Sequence, residues 1–238
     1  MNKKSSGFYF SEKGYYNKML NKILNKITAV LLLIILVPLL VLIGLLVFIE
    51  TLEYPIFIQD RGLTLSKHRF RIYKFRTLPG KQSARAAGKI LRKQEAIRSV
   101  LPLGRFLRKT GLDELPQLLN IVKGEMNFVG PRPLDLTDLL NIQNHFNEYY
   151  LEREKIEMLP GITGYWQVYK DRERSVENLI ALDTYYKVNK SIVLNLKILA
   201  ASFYITLKGQ NEVQNTNALP YRNNITSMAL AELSSKTG

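Results

Sequence analysis

No cysteine occurs among the 238 residues, and histidine occurs only at His68 and His145. The first absence excludes disulfides and thiolate metal sites. The second argues against a histidine-rich zinc centre. Any metal would therefore be a hard cation held on carboxylates, such as magnesium. Acidic residues are also few, 20 against 34 lysines and arginines, which leaves a net charge of +14 and a pI near 9.8. Such a chain suits an anionic partner: nucleic acid, an anionic membrane surface or a nucleotide. Composition alone does not choose among them.

Charge is missing altogether from Ile27 to Ile49, where only Thr28, Pro38 and Gly44 interrupt an apolar run. As a straight helix it would reach roughly 35 Å, enough to span a bilayer core. Lys18, Lys22 and Lys26 precede the run, whereas Glu50 and Glu53 follow it. The positive-inside rule then places the N-terminus in the cytoplasm. The run is longer than a signal-peptide core and lacks a small-residue cleavage site. Two arrangements remain open at this point. A tilted, Pro-kinked helix could cross the membrane. Alternatively, Pro38, which removes a helix hydrogen bond near the middle, could turn the chain back so that both ends face the cytoplasm.

The remainder divides by pattern, with no internal repeats. Residues 1–26 form a basic lead, residues 27–50 the membrane-inserted helix, residues 51–209 a catalytic-sized domain, and residues 210–238 a polar tail with one short helix near Met228–Leu233. Residues 51–80 read as β, with a strand from Phe70 to Thr77 that places Phe70, Ile72, Lys74 and Arg76 on one face. Residues 81–108 are helix-prone, strongly basic and broken by Pro102 and Gly104. Their interleaved apolar and basic residues suit a helix lying on an anionic membrane surface. Their scarcity of aromatics speaks against single-stranded nucleic acid. Helices follow over 112–123, 134–158, 175–188 and 192–208. The expected class is α+β: mainly helical, with a small β-hairpin, an N-terminal membrane helix and surface-lying amphipathic helices.

Chemistry concentrates in KTGLDELPQLLNIVKGEMNFVGPRP, residues 109–133. Pro116 is tolerated only in a first helical turn, so Asp113 and Glu114 fall at a cap or opening turn. Carboxylates are common there simply because they complement the helix dipole and free N–H groups. The neighbours point elsewhere. Arg108 and Lys109 lie just upstream, and Arg132 is held extended between two prolines, where a guanidinium can clamp phosphate. An aspartate can attack phosphorus to give an acyl phosphate. Phosphoryl transfer also needs positioned cations and usually magnesium, for which Asp113 and Glu114 are the candidate ligands.

These stretches resemble a known family. Arg61-Gly62-Leu63, FRIYKFRT at 70–77, GRFLRKTGLDELPQLLNIVKGEMNFVGPRPL at 104–134 and PGITGYWQV at 160–168 are similar to the catalytic domain of bacterial sugar transferases. These are monotopic phosphoglycosyl transferases acting on polyprenyl phosphate. The likeness extends more loosely over residues 27–208. It implies transfer of a sugar-1-phosphate from a UDP-sugar to polyprenyl phosphate, with release of UMP. Asp113 would be the nucleophile of a phosphosugar-aspartyl intermediate, and Glu114 a Mg2+ partner that could also assist deprotonation of the lipid phosphate. Lys74, Arg76, Arg108 and Arg132 would bind phosphates. The resemblance further implies a re-entrant helix broken at Pro38, a lipid bilayer with anionic lipids as partner, no nucleic acid, and a catalytic domain on the cytoplasmic face of the bacterial inner membrane. Three positions depart from the family pattern. Val37 replaces a frequent serine before the proline, Lys170-Asp171-Arg172 stands near a usual Gly-Arg, and Lys190 replaces a usual tryptophan. From the residues alone, the competing reading is a non-catalytic, membrane-anchored basic module for anionic lipid or nucleic acid. No motif encodes which sugar is carried.

Overall fold

The computed structural model describes residues 6–78, 100–169 and 176–208, with residues 6–18 and 207–208 by backbone alone. The basic stretch 79–99, the Lys170-Asp171-Arg172 departure and the polar tail lie outside the described residues.

Helix α1 runs from Ser6 to Thr51 with Pro38 inside it, so the lead and the apolar run form one 46-residue helix. Its inner face packs on the body on both sides of Pro38. Ala29, Leu32, Leu33 and Leu36 meet Phe70, Ile72, Leu118 and Ile121. Beyond the proline, Leu39, Leu40, Ile43 and Val47 meet Phe75 and Leu107. Polar contacts mark the two ends of this seam. Asn25 Oδ1 accepts from the Phe128 peptide N–H at 3.3 Å, and Glu50 Oε1 accepts from the Leu103 peptide N–H at 3.0 Å. The outer face stays exposed through Ile34, Ile35, Val41, Leu42, Leu45 and Ile49. An apolar surface of this extent is what a membrane-associated protein presents.

Strands β1 (Ile56–Gly62) and β2 (Phe70–Phe75) form the expected hairpin, antiparallel with Ile56 opposite Phe75 and Arg61 opposite Phe70. The short β4 (Leu134–Asp135) adds antiparallel to the other edge of β1. A separate parallel pair joins β3 (Asn127–Val129) to β5 (Gly161–Thr163). Here main chains approach closely, because a Cβ on Gly161 would stand 2.1 Å from the Gly130 nitrogen.

Helix α2 (Pro102–Thr110) starts at Pro102 rather than being broken by it, since proline fits the first helical turn. Gly111 closes it in the left-handed region, at φ 67°. The expected single helix over 112–123 is instead a 3-10 turn, Leu112–Gln117, followed by α3, Leu118–Lys123. Pro116 inside the turn cannot donate an N–H. Asn120, fully buried, ties α3 to β2: its Nδ2 donates to the Arg71 carbonyl at 2.7 Å, and its Oδ1 accepts from the Tyr73 N–H at 3.3 Å.

The expected helix over 134–158 is likewise divided. After β4 come α4 (Leu136–His145) and α5 (Asn147–Glu154), separated by Phe146 at φ −140°. Asp135 caps α4 by accepting from the Asp138 N–H at 2.8 Å. The short α6 (Tyr165–Tyr169) follows β5. Helices α7 (Val176–Asn189) and α8 (Ile192–Lys208) lie within about a residue of their expected positions. Helix α8 exposes Ile192, Val193, Leu196 and Phe203. The class is α+β, as the sequence indicates.

Candidate active site

The 3-10 turn lies over β2, and this fixes the carboxylate pair against the strand. Glu114 Oε1 meets Lys74 Nζ at 2.5 Å. Asp113 is only 9% exposed, whereas Glu114 is half-buried. The Glu114 peptide N–H donates to the Gly111 carbonyl at 3.1 Å. That donor is therefore used inside the turn rather than offered to a ligand. Positive charge comes from side chains instead.

The two carboxylates differ electrostatically. Burial pushes Asp113 up to about 6, a rise that Glu114 reinforces and that Lys74 and Arg108 oppose. Burial acts in the same direction on Glu114, but there Lys74, by charge and hydrogen bond, together with Arg132 and Arg61, holds the group below its ordinary value. Adjacent carboxylates with divided protonation behaviour are a common mark of catalytic chemistry.

A cleft of about 880 Å3 opens above the pair. All six expected residues line it: Lys74, Arg76, Arg108, Asp113, Glu114 and Arg132. Their engagement differs. Arg108 Nε donates to Thr77 Oγ1 at 2.7 Å, which orients it near Asp113. Arg132 lays its guanidinium over the Trp166 ring, 4.6 Å from the centroid. Arg76 is bound to Glu53 at 2.9 Å and donates to the Tyr54 carbonyl at 2.9 Å. It thus secures the chain leaving α1, and its commitment there weakens the expectation that it binds phosphate.

The residue missed by role is Arg61. It lines the cleft, lies near enough to lower Glu114, and hydrogen-bonds Gln59 Oε1 at 2.6 Å through one terminal nitrogen. Asp135 lies 4.0 Å from the other. Burial lowers the Arg61 pKa, a shift that Asp135, Asp138 and Glu114 oppose. Alternation along β1 puts Phe57, Gln59 and Arg61 on one face, so period 2 could have brought it into the site.

The far wall is apolar. Leu32 and Leu36 of α1 face the cleft, as do Leu199, Phe203 and Ile205 of α8. The site thus lies between a cationic floor and two helices whose outer faces are apolar.

The sequence model of bacterial sugar transferases matches residues 16–209, which include every element around this cleft. The chain belongs to the bacterial sugar transferase family. Among similar proteins, the uncharacterized sugar transferase EpsL of Bacillus subtilis is 36% identical over 68% of this sugar transferase and 75% of its own length. The exopolysaccharide production protein ExoY of Sinorhizobium fredii is 35% identical over 60% of the chain and 66% of its own. The undecaprenyl-phosphate glucose phosphotransferase of Komagataeibacter xylinus is 33% identical over 76% of the chain but only 33% of its own length. This sugar transferase therefore spans about two thirds to three quarters of the first two relatives and a third of the last.

Among the described residues no cluster of three or more metal-ligating side chains occurs. Mg2+ is commonly held by one or two carboxylates together with substrate phosphates; Asp113 and Glu114, which both line the cleft, are the carboxylates that would hold it.

Proposed function

We propose that this family member is a phosphoglycosyl transferase, moving a sugar-1-phosphate from a UDP-sugar to polyprenyl phosphate at the cytoplasmic face of the bacterial inner membrane. The observation that carries the reading is the buried Asp113, raised to about 6, at the floor of a cleft with cations on one side and apolar helices on the other. At neutral pH such a carboxylate is largely ionised, yet more basic than an ordinary aspartate, which suits a nucleophile. The name of the related undecaprenyl-phosphate glucose phosphotransferase supports a polyprenyl-phosphate acceptor.

In the first step an Asp113 oxygen bonds the β-phosphorus of the donor, the bond from that phosphorus to the bridging oxygen breaks, and UMP leaves. In the second, an oxygen of the lipid phosphate attacks the same phosphorus. The bond to Asp113 breaks, the carboxylate is regenerated, and a lipid diphosphate sugar forms. Lys74, Arg108 and Arg132 stabilise charge on the transferring group. Glu114, held ionised by Lys74, suits a cation partner better than a general base. Mg2+ bound at Asp113 and Glu114 would neutralise phosphate charge. A pure anion-binding module gains nothing from two carboxylates at the centre of its positive site, which disfavours the non-catalytic alternative. Incubation with a panel of UDP-sugars, polyprenyl phosphate and Mg2+ should release UMP for at least one sugar, and chelator should stop it. No release from any of them counts against the activity.

The re-entrant arrangement is part of this proposal. Helix α1 continues through Pro38 without the expected break; what supports the arrangement is that α1 packs on one body both before and after the proline, so that both halves of the helix lie on the same side as that body. Single cysteines added at the two termini of this cysteine-free chain should both react only from the cytoplasmic side. A C-terminal cysteine reached from outside the cell would establish a span instead.

A further inference from the structure

Arg153 on α5 and Asp183 on α7 form an ion pair at 2.7 Å, and neither residue is exposed to solvent. Pairs this deep bring little net stability over apolar side chains of similar volume. Their geometry here has a different consequence. The Arg153 guanidinium is forked among three segments. Nη1 meets Asp183, Nε donates to the Leu63 carbonyl at 2.6 Å, and Nη2 donates to the carbonyl of Arg132. Burial pushes the Asp183 carboxyl up, and Arg153 opposes that shift most strongly, with a smaller contribution from the Arg132 backbone. The pair therefore holds the main chain of Arg132 at its carbonyl. It also fixes the loop just beyond Arg61. Meanwhile the Arg132 guanidinium lies on the Trp166 ring.

We propose that Arg153, with Asp183, and Trp166 are positioning residues for Arg132. The buried pair sets the backbone of the Pro131-Arg132-Pro133 turn, and the indole sets the direction of the guanidinium, so that Arg132 enters the cleft already aimed at the donor's diphosphate. This rests on the reading of Arg132 as a phosphate ligand. Preorganisation of this kind removes the entropy of fixing a long side chain at the moment of binding. Lysine cannot replace Arg153, because an ammonium can keep the Asp183 charge but not the planar fork to two carbonyls.

The test uses the full-length chain in detergent or nanodiscs, with UDP as the probe. Arg132→Ala should weaken UDP binding on the order of tenfold. Trp166→Leu, at a partly exposed position where folding should survive, and Arg153→Lys should each weaken it roughly three- to tenfold, mainly through KM for the donor rather than kcat. Trp166→Phe, which keeps an aromatic face, should bind within about twofold of the unaltered chain. In an Arg132→Ala background neither Trp166→Leu nor Arg153→Lys should have a further effect, a non-additivity that loss of general stability would not produce. Trp166 is the chain's one tryptophan, so its emission reports the stacking directly and should shift in Arg153→Lys. Unchanged UDP affinity in a folded Trp166→Leu, or effects that persist fully without Arg132, would overturn the positioning role while leaving Arg132 as a ligand. Unchanged affinity in Arg132→Ala itself would overturn the ligand reading and the positioning role with it. Should Arg153→Lys not fold, Trp166→Leu still decides.

Discussion

Asp113→Asn should lower UMP release and lipid-linked product by at least about a thousandfold while the protein stays folded and membrane-bound, because it removes the attacking oxygen's charge without changing side-chain shape. Near-normal turnover with a competent UDP-sugar and polyprenyl phosphate would remove Asp113 from the mechanism. The same variant has an opposite effect on stability. The folded-state pKa of Asp113 is raised from 3.8 to about 6. Between those values the folded protein binds the proton and the unfolded chain does not, so the stability gained at low pH is lost as pH rises through about 6. The loss is of order 3 kcal/mol once both states are ionised. Asparagine has no such loss. Asp113→Asn should therefore unfold at a higher temperature than the unaltered chain at pH 7.5, with the difference shrinking toward pH 4. An equal difference at both pH values would show that burial does not raise this group. Gain of stability with loss of rate is the expected signature of a carboxylate kept ionised in an unfavourable place.

Lys74→Met should be the next most damaging change at neutral pH. Lys74 is the strongest of the influences that keep both carboxylates ionised, and it bonds Glu114 directly. Without it Asp113 titrates higher and a smaller fraction is nucleophilic at pH 7. A stabilising charge at the transferring phosphate is also lost. Together these should reduce turnover on the order of a hundredfold at pH 7. Raising the pH should recover the part due to protonation, so the acid limb of the pH–rate profile moves upward. A profile with an unshifted acid limb would mean that Lys74 does not set the ionisation of Asp113. Charge can be separated from position with Lys74→Arg, which should retain the limb better than methionine.

The paired carboxylates, the proline-held arginine and the apolar run were all legible along the chain, because each depends on residue type at short range. Alternation placed Lys74 on the face of β2 that meets Glu114, since period 2 needs no tertiary information. The division of residues 112–123 into a 3-10 turn and a short helix was less accessible. Pro116 restricts where a helix can begin, but docking of the turn on β2 decides which kind of turn forms. Likewise nothing local separates α4 from α5 at Phe146.

Alternation along the strand expected over Phe70–Thr77 drew attention to Arg76, although β2 ends at Phe75, and Arg61 was left without a role. Both face the cleft, but their partners lie far away in sequence: Glu53 engages Arg76, while Asp135 balances Arg61. The buried Arg153 illustrates the same limit. In the sequence it is one charge in the polar run LEREKIE, and only the folded chain brings it under Arg132, 21 residues away, and opposite Asp183.

Residue order alone settled the family, the nucleophile candidate and the long apolar run, since motifs and hydrophobic length are properties of adjacent residues. Tertiary structure decided how differently the two carboxylates are buried and charged, which cations line the cleft, and which side of the site is apolar. Those depend on burial and on distances between segments far apart in the chain, and the free energy of a charge is set by its surroundings in space.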